Sequence, residues 1–155
     1  MGQTPEQIQE KKERLSLKRW KDAESGEPEY LPSFPEEAVT EIPDEIQGLN
    51  REFFWFYATE RGHHPNARGG FTSTSDLSFL NYALNDHIAE ISPRPILFLV
   101  GEQAESRFFS DMAFEKAAEP KQMIVVPDCN HVDLYDDTSK IPFDEIERFL
   151  GDNLG

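Results

Sequence analysis

The sequence has little basic charge to balance its acids, and it has no long apolar run. Its 155 residues include 15 lysines and arginines against 30 aspartates and glutamates, a formal net charge of −15. Because such a surface repels phosphate backbones and anionic lipids, we expect no nucleic-acid partner and no membrane partner. No stretch of about 18 apolar residues is present, so no transmembrane helix is expected. The N-terminal segment also lacks the apolar core of a signal peptide, and we predict a cytoplasmic protein.

Cysteine is almost absent from the chain. Cys129 is the single cysteine, which excludes an intrachain disulfide and a metal site built from several cysteines. We expect Cys129 to be a small buried side chain rather than a reactive thiol. We expect neither a bound metal nor a cofactor.

Apolar residues are also scarce, at 37% of the sequence, whereas aromatic residues make up 12%. That apolar fraction is low for a globular domain. The combination indicates a few dense aromatic clusters separated by polar stretches. Some of the apolar surface is expected to face a partner, either a second copy in a homodimer or another polypeptide.

The first part of the chain, residues 1–91, is predicted to be mostly helical. A capping box beginning at Thr4 indicates a helix over residues 4–24. Four prolines within residues 25–43 predict an irregular connector. A second helix is predicted over residues 44–59, and its five consecutive aromatic residues are more than one buried face requires.

Residues 92–155 have a different pattern, typical of an α/β fold. Apolar runs at 96–100 and 123–126, bounded by proline or glycine, predict two strands buried on both faces. A helix beginning at Ser110 separates them, and an amphipathic helix follows from Pro142. This order predicts a parallel strand pair with a right-handed crossover. Two strands do not form a stable α/β sheet alone, which again indicates association.

Polar residues follow both predicted strands. In a parallel sheet, ligand sites lie at the carboxyl ends of the strands. His131 follows the second strand, and Glu102 and Glu105 follow the first. A histidine oriented by a carboxylate is the base and orienting part of a catalytic triad. The alternative is a surface histidine in a polar loop.

Four segments of the sequence together resemble a known family. They resemble the last two strands of α/β hydrolases, most closely the dienelactone-hydrolase-like and acetyl-xylan-esterase-like branch, which includes polyketide-processing relatives. The resemblance covers residues 4–153 and is most specific over 86–136. The segments are S-P-R-P-I-L-F-L-V-G-E (92–102), F-F-S-D-M-A-F (108–114), A-E-P-K (118–121) and V-P-D-C-N-H-V-D-L-Y-D (126–136).

The resemblance implies roles for particular residues. His131 matches the catalytic histidine of the family, and Glu105 falls where relatives often carry the catalytic acid. Glu102 is the alternative acid, and Asp133 is expected to cap or solvate the loop. The implied substrate is a small ester or thioester, attacked by a serine or cysteine whose proton His131 takes.

The nucleophile of that family lies in a G-x-S-x-G-like turn between a strand and a helix. No such turn is present, and the Ser- and Gly-containing segment 68–75 has no strand before it. The sequence therefore indicates the C-terminal half of a hydrolase fold (92–155) preceded by a cap-like segment (1–91). Either a second polypeptide or an upstream segment would supply the nucleophile. The alternative is an inactive truncated homologue that folds by self-association and acts as an interaction module.

The cap-like segment contributes candidate substrate-binding residues. His63 and His64, together with Phe56 and Tyr57, are predicted to line the substrate pocket, as the family's cap does. A solvated loop is the alternative for the two histidines, and a place in the core is the alternative for the two rings. Adjacent histidines on a loop point apart, so a metal site is not expected there.

Overall fold

The computed structural model describes residues 4–154. The predicted region 1–91 begins, and the predicted region 92–155 ends, at residues outside this range. Among the described residues, none of the helices is both long enough and apolar enough to cross a membrane. The elements are α1 (Pro5–Ser25), α2 (Gly48–Tyr57), α3 (Asp76–Leu80), a 3₁₀ helix (Leu84–Ile91), β1 (Ile96–Gly101), α4 (Arg107–Lys116), β2 (Lys121–Val126), α5 (Asp133–Asp136) and α6 (Phe143–Leu154).

A small parallel sheet forms the α/β part of the molecule. β1 pairs with β2 from Ile96 opposite Lys121 to Gly101 opposite Val126, and α4 connects them. The predicted parallel pair is confirmed. The prediction that both strands are buried on both faces is wrong for most of their length, since only their carboxyl-terminal ends are buried. A sheet of two strands has too little area to be covered on all sides.

The first helix begins as its sequence predicts. The Thr4 side chain accepts a hydrogen bond from the Gln7 backbone, and the Gln7 side chain accepts one from the Thr4 backbone. Such a box satisfies two of the backbone donors that a helix start leaves free. The helix ends at Gly26, whose φ of 71° is the left-handed conformation that glycine adopts without strain.

The predicted connector over 25–43 is irregular, but it is not loose. Single β-bridges join it to the segment that follows α2, at Tyr30 with Thr72, Ser33 with Gly69 and Val39 with Thr59. The helix α2 is shorter than the predicted 44–59. It begins only at Gly48, whose φ of 58° would not continue a right-handed helix from the residues before it.

The start of α4 also differs from the prediction. The residue at its N-terminal cap position is Ser106, and Ser110 lies inside the helix. The buried apolar residues near this end of the sheet include Val100, Ala104, Val126 and Val132. The core of the α/β part therefore lies at the carboxyl ends of both strands, directly beneath the loops that carry the candidate site.

Candidate active site

The loops after β1 and β2 lie in direct contact. The backbone N–H of Gln103 donates to the Cys129 carbonyl at 3.0 Å, and that of Glu102 donates to Val126 at 2.8 Å. A Cβ atom at Gly101 would overlap the carbonyl of Cys129. Glycine is therefore required at the end of β1, because it lets the two backbones approach closely.

The loop after β2 is held at its base by buried residues on both sides of His131. Cys129 and Val132 are completely buried, and Asp133 is 3% exposed. The carboxylate of Asp133 accepts the backbone N–H of Asn130 at 3.0 Å. Asp133 thus caps the loop, which is one of the roles predicted for it.

Asp133 is a buried charge with two cationic partners. The Nζ of Lys140 lies 2.7 Å from one carboxylate oxygen, and the guanidinium of Arg61 lies 3.2 Å from the other. Burial alone would raise the pKa of Asp133, but the hydrogen bonds from Lys140, Asn130 and Arg61 outweigh it and hold that pKa below its usual value. The carboxylate is therefore ionised and fully partnered.

Arg61 joins the segment after α2 to this loop. Its guanidinium binds both carboxylate oxygens of Asp136, at 2.6 and 2.9 Å, and donates to the Val132 carbonyl at 3.3 Å. It also lies 4.3 Å above the ring of Trp55. The hydrogen bond from Arg61 lowers the pKa of Asp136. This two-bond geometry fixes orientation as well as charge.

Among residues 4–154, His131 has three hydrogen bonds, and each joins it to a different part of the fold. Its backbone N–H donates to Glu52 of α2 at 3.1 Å. Its ring Nδ1 lies 2.6 Å from Ser106 Oγ, and its Nε2 lies 2.7 Å from the hydroxyl of Tyr135. The ring of Phe53 meets the imidazole edge to face, with centroids 5.3 Å apart. The side chain is therefore held in one orientation.

The structure does not bring the two candidate acids to the imidazole. The carboxylate of Glu105 accepts the backbone N–H of Leu49 at 2.9 Å, so it caps α2 from another part of the chain. The carboxylate of Glu102 lies 3.4 Å from the backbone N of Asp128. The loop after β1 reaches His131 through Ser106, the residue after Glu105.

Sequence reasoning missed three residues that contact His131: Glu52, Ser106 and Tyr135. Tyr135 could have been found, because it lies four residues after His131, within the short helix α5. Ser106 could have been considered with its neighbour Glu105. Nothing in the sequence indicates Glu52, whose contact spans 79 positions.

A pocket of about 410 Å³ opens beside the imidazole. Its walls come from the end of β1, from α4, from α5 and from the start of α6. Its polar groups are supplied by Ser106, Ser110, His131 and Tyr135, and the other lining side chains are mostly apolar. The lining residues are Leu99, Val100, Gly101, Ala104, Ser106, Phe109, Ser110, His131, Leu134, Tyr135, Ile141, Pro142 and Ile146.

The four predicted substrate-binding residues lie outside the lining of this pocket, as far as the described residues define it. The Nε2 of His63 lies 3.2 Å from the Pro35 carbonyl, and the Nδ1 of His64 accepts the backbone N–H of Asn66 at 3.1 Å. His63 therefore joins its loop to the connector over 25–43, and His64 stabilises its own loop.

The two predicted rings lie behind the site. Phe56 meets the ring of Tyr135 edge to face at 5.2 Å, and Tyr57 stacks on Phe34 at 5.4 Å. Burial raises the pKa of Tyr135, and the neighbouring Tyr57 raises it further. Phe56 and Tyr57 thus support Tyr135 from the side of α2.

Cys129 is buried, as predicted. Burial raises the pKa of its thiol, with Asp133 adding to the effect, so the reactive thiolate is disfavoured. Within residues 4–154, no group of three or more histidine, cysteine, aspartate or glutamate side chains is placed to hold a metal ion.

No protein-family model matches the chain. The protein PA2218 of Pseudomonas aeruginosa is 44% identical over 149 residues, covering 92% of this chain and 38% of that protein. The protein YcjY of Escherichia coli K12 is 31% identical over 120 residues, covering 76% of this chain and 38% of that protein. The chain therefore spans less than half the length of the curated relatives it matches.

Two solved structures are similar over 97% of this chain. The crystal structure of PA2218 has a TM-score of 0.81 at 43% identity, and the chain covers 46% of it. The α/β hydrolase GrgF from Penicillium sp. sh18 has a TM-score of 0.64 at 25% identity, and the chain covers 50% of it. The fold is α/β-hydrolase-like.

In this hydrolase-like fold, the carboxyl ends of the strands carry an imidazole beside a pocket. An imidazole that is held in place and faces a pocket can accept a proton from a hydroxyl or thiol and return it to a leaving group. The pocket walls can hold an uncharged group of a substrate against that imidazole.

Proposed function

We propose that this chain carries the general base, His131, of an ester- or thioester-hydrolysing site. The observation that supports the proposal most directly is the position of His131. Its imidazole follows β2, is held on both ring nitrogens and lines the 410 Å³ pocket. In the proposed enzyme, the serine or cysteine nucleophile comes from another polypeptide or from another segment of a longer chain.

The chemistry follows the usual two steps of acyl transfer. The nucleophile gives its proton to Nε2 of His131 and attacks the substrate carbonyl carbon, and the bond from that carbon to the leaving oxygen or sulfur breaks. The imidazolium returns the proton to the leaving group. Water then attacks the acyl-enzyme, again with His131 as base, and the products are a carboxylic acid and an alcohol or thiol.

The pocket favours an uncharged, apolar substrate portion. Its walls include Leu99, Phe109 and Ile146 beside the polar groups. A net charge of −15 on the whole chain disfavours anionic substrates. Acetyl esters, lactones and polyketide chains are the substrates implied by the resemblance to the dienelactone-hydrolase-like and acetyl-xylan-esterase-like branch, and small uncharged members of these classes are the proposed substrates.

The two candidate acids have no assigned step in this proposal. Glu105 would have to exchange its hydrogen bond to Leu49 for one to the imidazole before it could orient His131. The same holds for Glu102, whose carboxylate lies beside the backbone of Asp128. Their role as the catalytic acid remains a prediction from the resemblance.

The test is complementation. This chain is mixed with the part of the PA2218 protein that it does not match, and hydrolysis of p-nitrophenyl acetate is followed. We expect the mixture to hydrolyse the ester faster than the sum of the two parts. His131→Ala should lower the gain in hydrolysis rate by about 10²- to 10⁴-fold, the usual contribution of a general base.

A matched control is His64→Ala, since His64 is exposed and lies outside the pocket lining. This variant should keep the full gain. A mixture with no gain, or a gain that His131→Ala leaves intact, would refute the proposal.

A second candidate function is that of an inactive homologue that folds by self-association. It is supported by large apolar side chains exposed on α4 and α6. Phe109 is 58% exposed, Met112 47% and Phe143 54%. Sedimentation of the chain at micromolar concentration separates the two functions, since this candidate requires a dimer and a folded monomer contradicts it.

A further inference from the structure

The His131 ring has a hydroxyl group at each nitrogen, and neither of its ring partners is a carboxylate. Ser106 Oγ lies 2.6 Å from Nδ1, and the Tyr135 hydroxyl lies 2.7 Å from Nε2. In a Ser-His-Asp triad, the Nδ1 side belongs to the carboxylate and the Nε2 side to the nucleophile. In this chain, Ser106 lies on the Nδ1 side and Tyr135 lies on the Nε2 side.

The acidity of the two hydroxyls decides where the imidazole proton lies. A neutral imidazole has one N–H donor and one nitrogen that accepts. The phenol of Tyr135 is a much stronger acid than the alcohol of Ser106, so it is the better donor, and the serine oxygen is the better acceptor. Tyr135 therefore donates to Nε2, and Nδ1–H donates to Ser106. In this tautomer, Nε2 is the basic nitrogen.

The backbone at Ser106 leaves its hydroxyl available to His131. A serine at an N-terminal cap normally has extended backbone angles, and its hydroxyl accepts an N–H from the first turn of the helix. Ser106 has φ −83° and ψ −2°, and it makes no such side-chain bond to α4. Its hydroxyl therefore does not cap α4 and contacts His131 instead.

Neighbouring contacts hold Ser106 in place. Just before it, Ala104 is 6% exposed, and Glu105 is bonded to the N-terminus of α2. Just after it, the backbone N–H of Arg107 donates to the Ala104 carbonyl at 3.0 Å. The oxygen that faces Nδ1 is thus fixed by packing on one side and by the helix start on the other.

We propose that Ser106 is the positioning residue of His131, in the place that a carboxylate has in other triads, and that it selects the tautomer with Nε2 as base. The proposal rests on the proposed function for its catalytic meaning. The Tyr135 hydroxyl then marks the point that the hydroxyl or thiol of the nucleophile would occupy.

The test measures the tautomer directly in the chain as it exists, without any activity assay. Long-range ¹H–¹⁵N spectra are recorded on ¹⁵N-labelled chain at alkaline pH, where imidazoles are neutral, and His131→Ala assigns the signal. We expect the Nδ1–H tautomer to predominate. Ser106→Ala should change the tautomer ratio toward Nε2–H by about three- to ten-fold, the effect of one lost hydrogen bond, and Ser106→Thr should restore it.

Ser110→Ala is the matched control, because Ser110 lines the same pocket and makes no side-chain hydrogen bond to His131 among the described residues. It should leave the ratio unchanged. Should Ser106→Ala fail to fold, Tyr135→Phe is the second test. It removes the Nε2 partner, and Nδ1 should stay protonated if Ser106 selects the tautomer. A wild-type chain with Nε2–H, or an unchanged ratio in folded Ser106→Ala, overturns the proposal. Neither result bears on whether complementation yields a hydrolase, so the two proposals fail separately.

Discussion

The two loops that form the candidate site are held by different kinds of contact. The loop after β2 is anchored internally by a buried carboxylate, Asp133, which has two cations and a backbone N–H as partners. The loop after β1 has no comparable charge among the described residues. It is held by the close backbone approach at Gly101 and by the bond from Glu105 to α2.

The difference shows which loop defines the position of His131. The β2 loop carries the histidine and is anchored by ion pairs to Asp133. The β1 loop packs against it through the close backbone contact at Gly101. We therefore expect the β2 loop to be the more costly to break and the more sensitive to acid. For the β1 loop, we expect the larger loss of stability from a side chain that separates its backbone from the β2 loop. We expect the smaller loss from removal of Glu105.

The largest effect is expected from Asp133→Ala. The substitution leaves Arg61 and Lys140 beside a buried site without their carboxylate, and removing one partner of a buried pair costs about 3–5 kcal/mol. Urea unfolding followed by circular dichroism measures the loss. Asp152→Ala, on the exposed side of α6, is the control and should change stability by less than about 0.5 kcal/mol.

Acid should weaken the same anchor, because its stabilising contribution depends on the ionised carboxylate of Asp133. Because the pKa of Asp133 is lower in the folded chain than in the unfolded chain, the unfolded chain binds the proton first as the pH falls. The stabilisation is complete above the ordinary aspartate pKa of about 3.9 and is lost as the pH falls through the folded value. Unfolding curves between about pH 7 and pH 3 test this. Asp133→Asn should flatten the dependence, and an equally steep variant would contradict the assignment.

Gly101→Ala should cost less than Asp133→Ala. The new methyl group would overlap the backbone carbonyl of Cys129, which cannot rotate away as a side chain could. Overpacking of this kind costs about 1–3 kcal/mol. Gly151→Ala is the matched control, because its Cβ meets nothing within 4 Å and the residue lies in α6. That variant should be neutral or stabilised by up to about 1 kcal/mol.

The smallest expected effect separates the two candidate acids. Glu105→Ala removes the acceptor for the first turn of α2, and losing such a cap costs about 1 kcal/mol. Glu102→Ala, in the same loop, breaks only a 3.4 Å contact and should cost less than about 0.5 kcal/mol. Thermal unfolding of both variants provides the comparison. An equal loss in both would show that Glu105 has no particular role in holding α2.

Much of the scaffold could be predicted from local pattern. The capping box at Thr4, the parallel strands and the position of His131 after β2 all depend on residues close together in the sequence. The start of α4 was predicted at Ser110 rather than at Ser106 because both serines can cap a helix. Which serine begins α4 depends on where the loop after β1 turns, and the backbone contact between Gly101 and Cys129 lies at that turn.

The candidate site was only half predictable for a similar reason. The sequence places His131 and the loop containing Glu105 at one edge of the sheet, but not the direction in which each side chain points. Glu105 turns to the free N–H of Leu49, and Ser106 turns to the imidazole. His63 contacts the Pro35 carbonyl of the connector, His64 accepts the Asn66 N–H in its own loop, and both lie outside the pocket lining.

By itself, the sequence determined the acidic surface, the α/β order of the second part of the chain and a histidine at a strand end. These depend on composition and on the periodicity of neighbouring residues. Only the tertiary structure decided which groups form hydrogen bonds with that histidine, namely Ser106, Tyr135 and Glu52. Those contacts join different elements, and each buried polar group binds whichever partner the packing of those elements brings within reach.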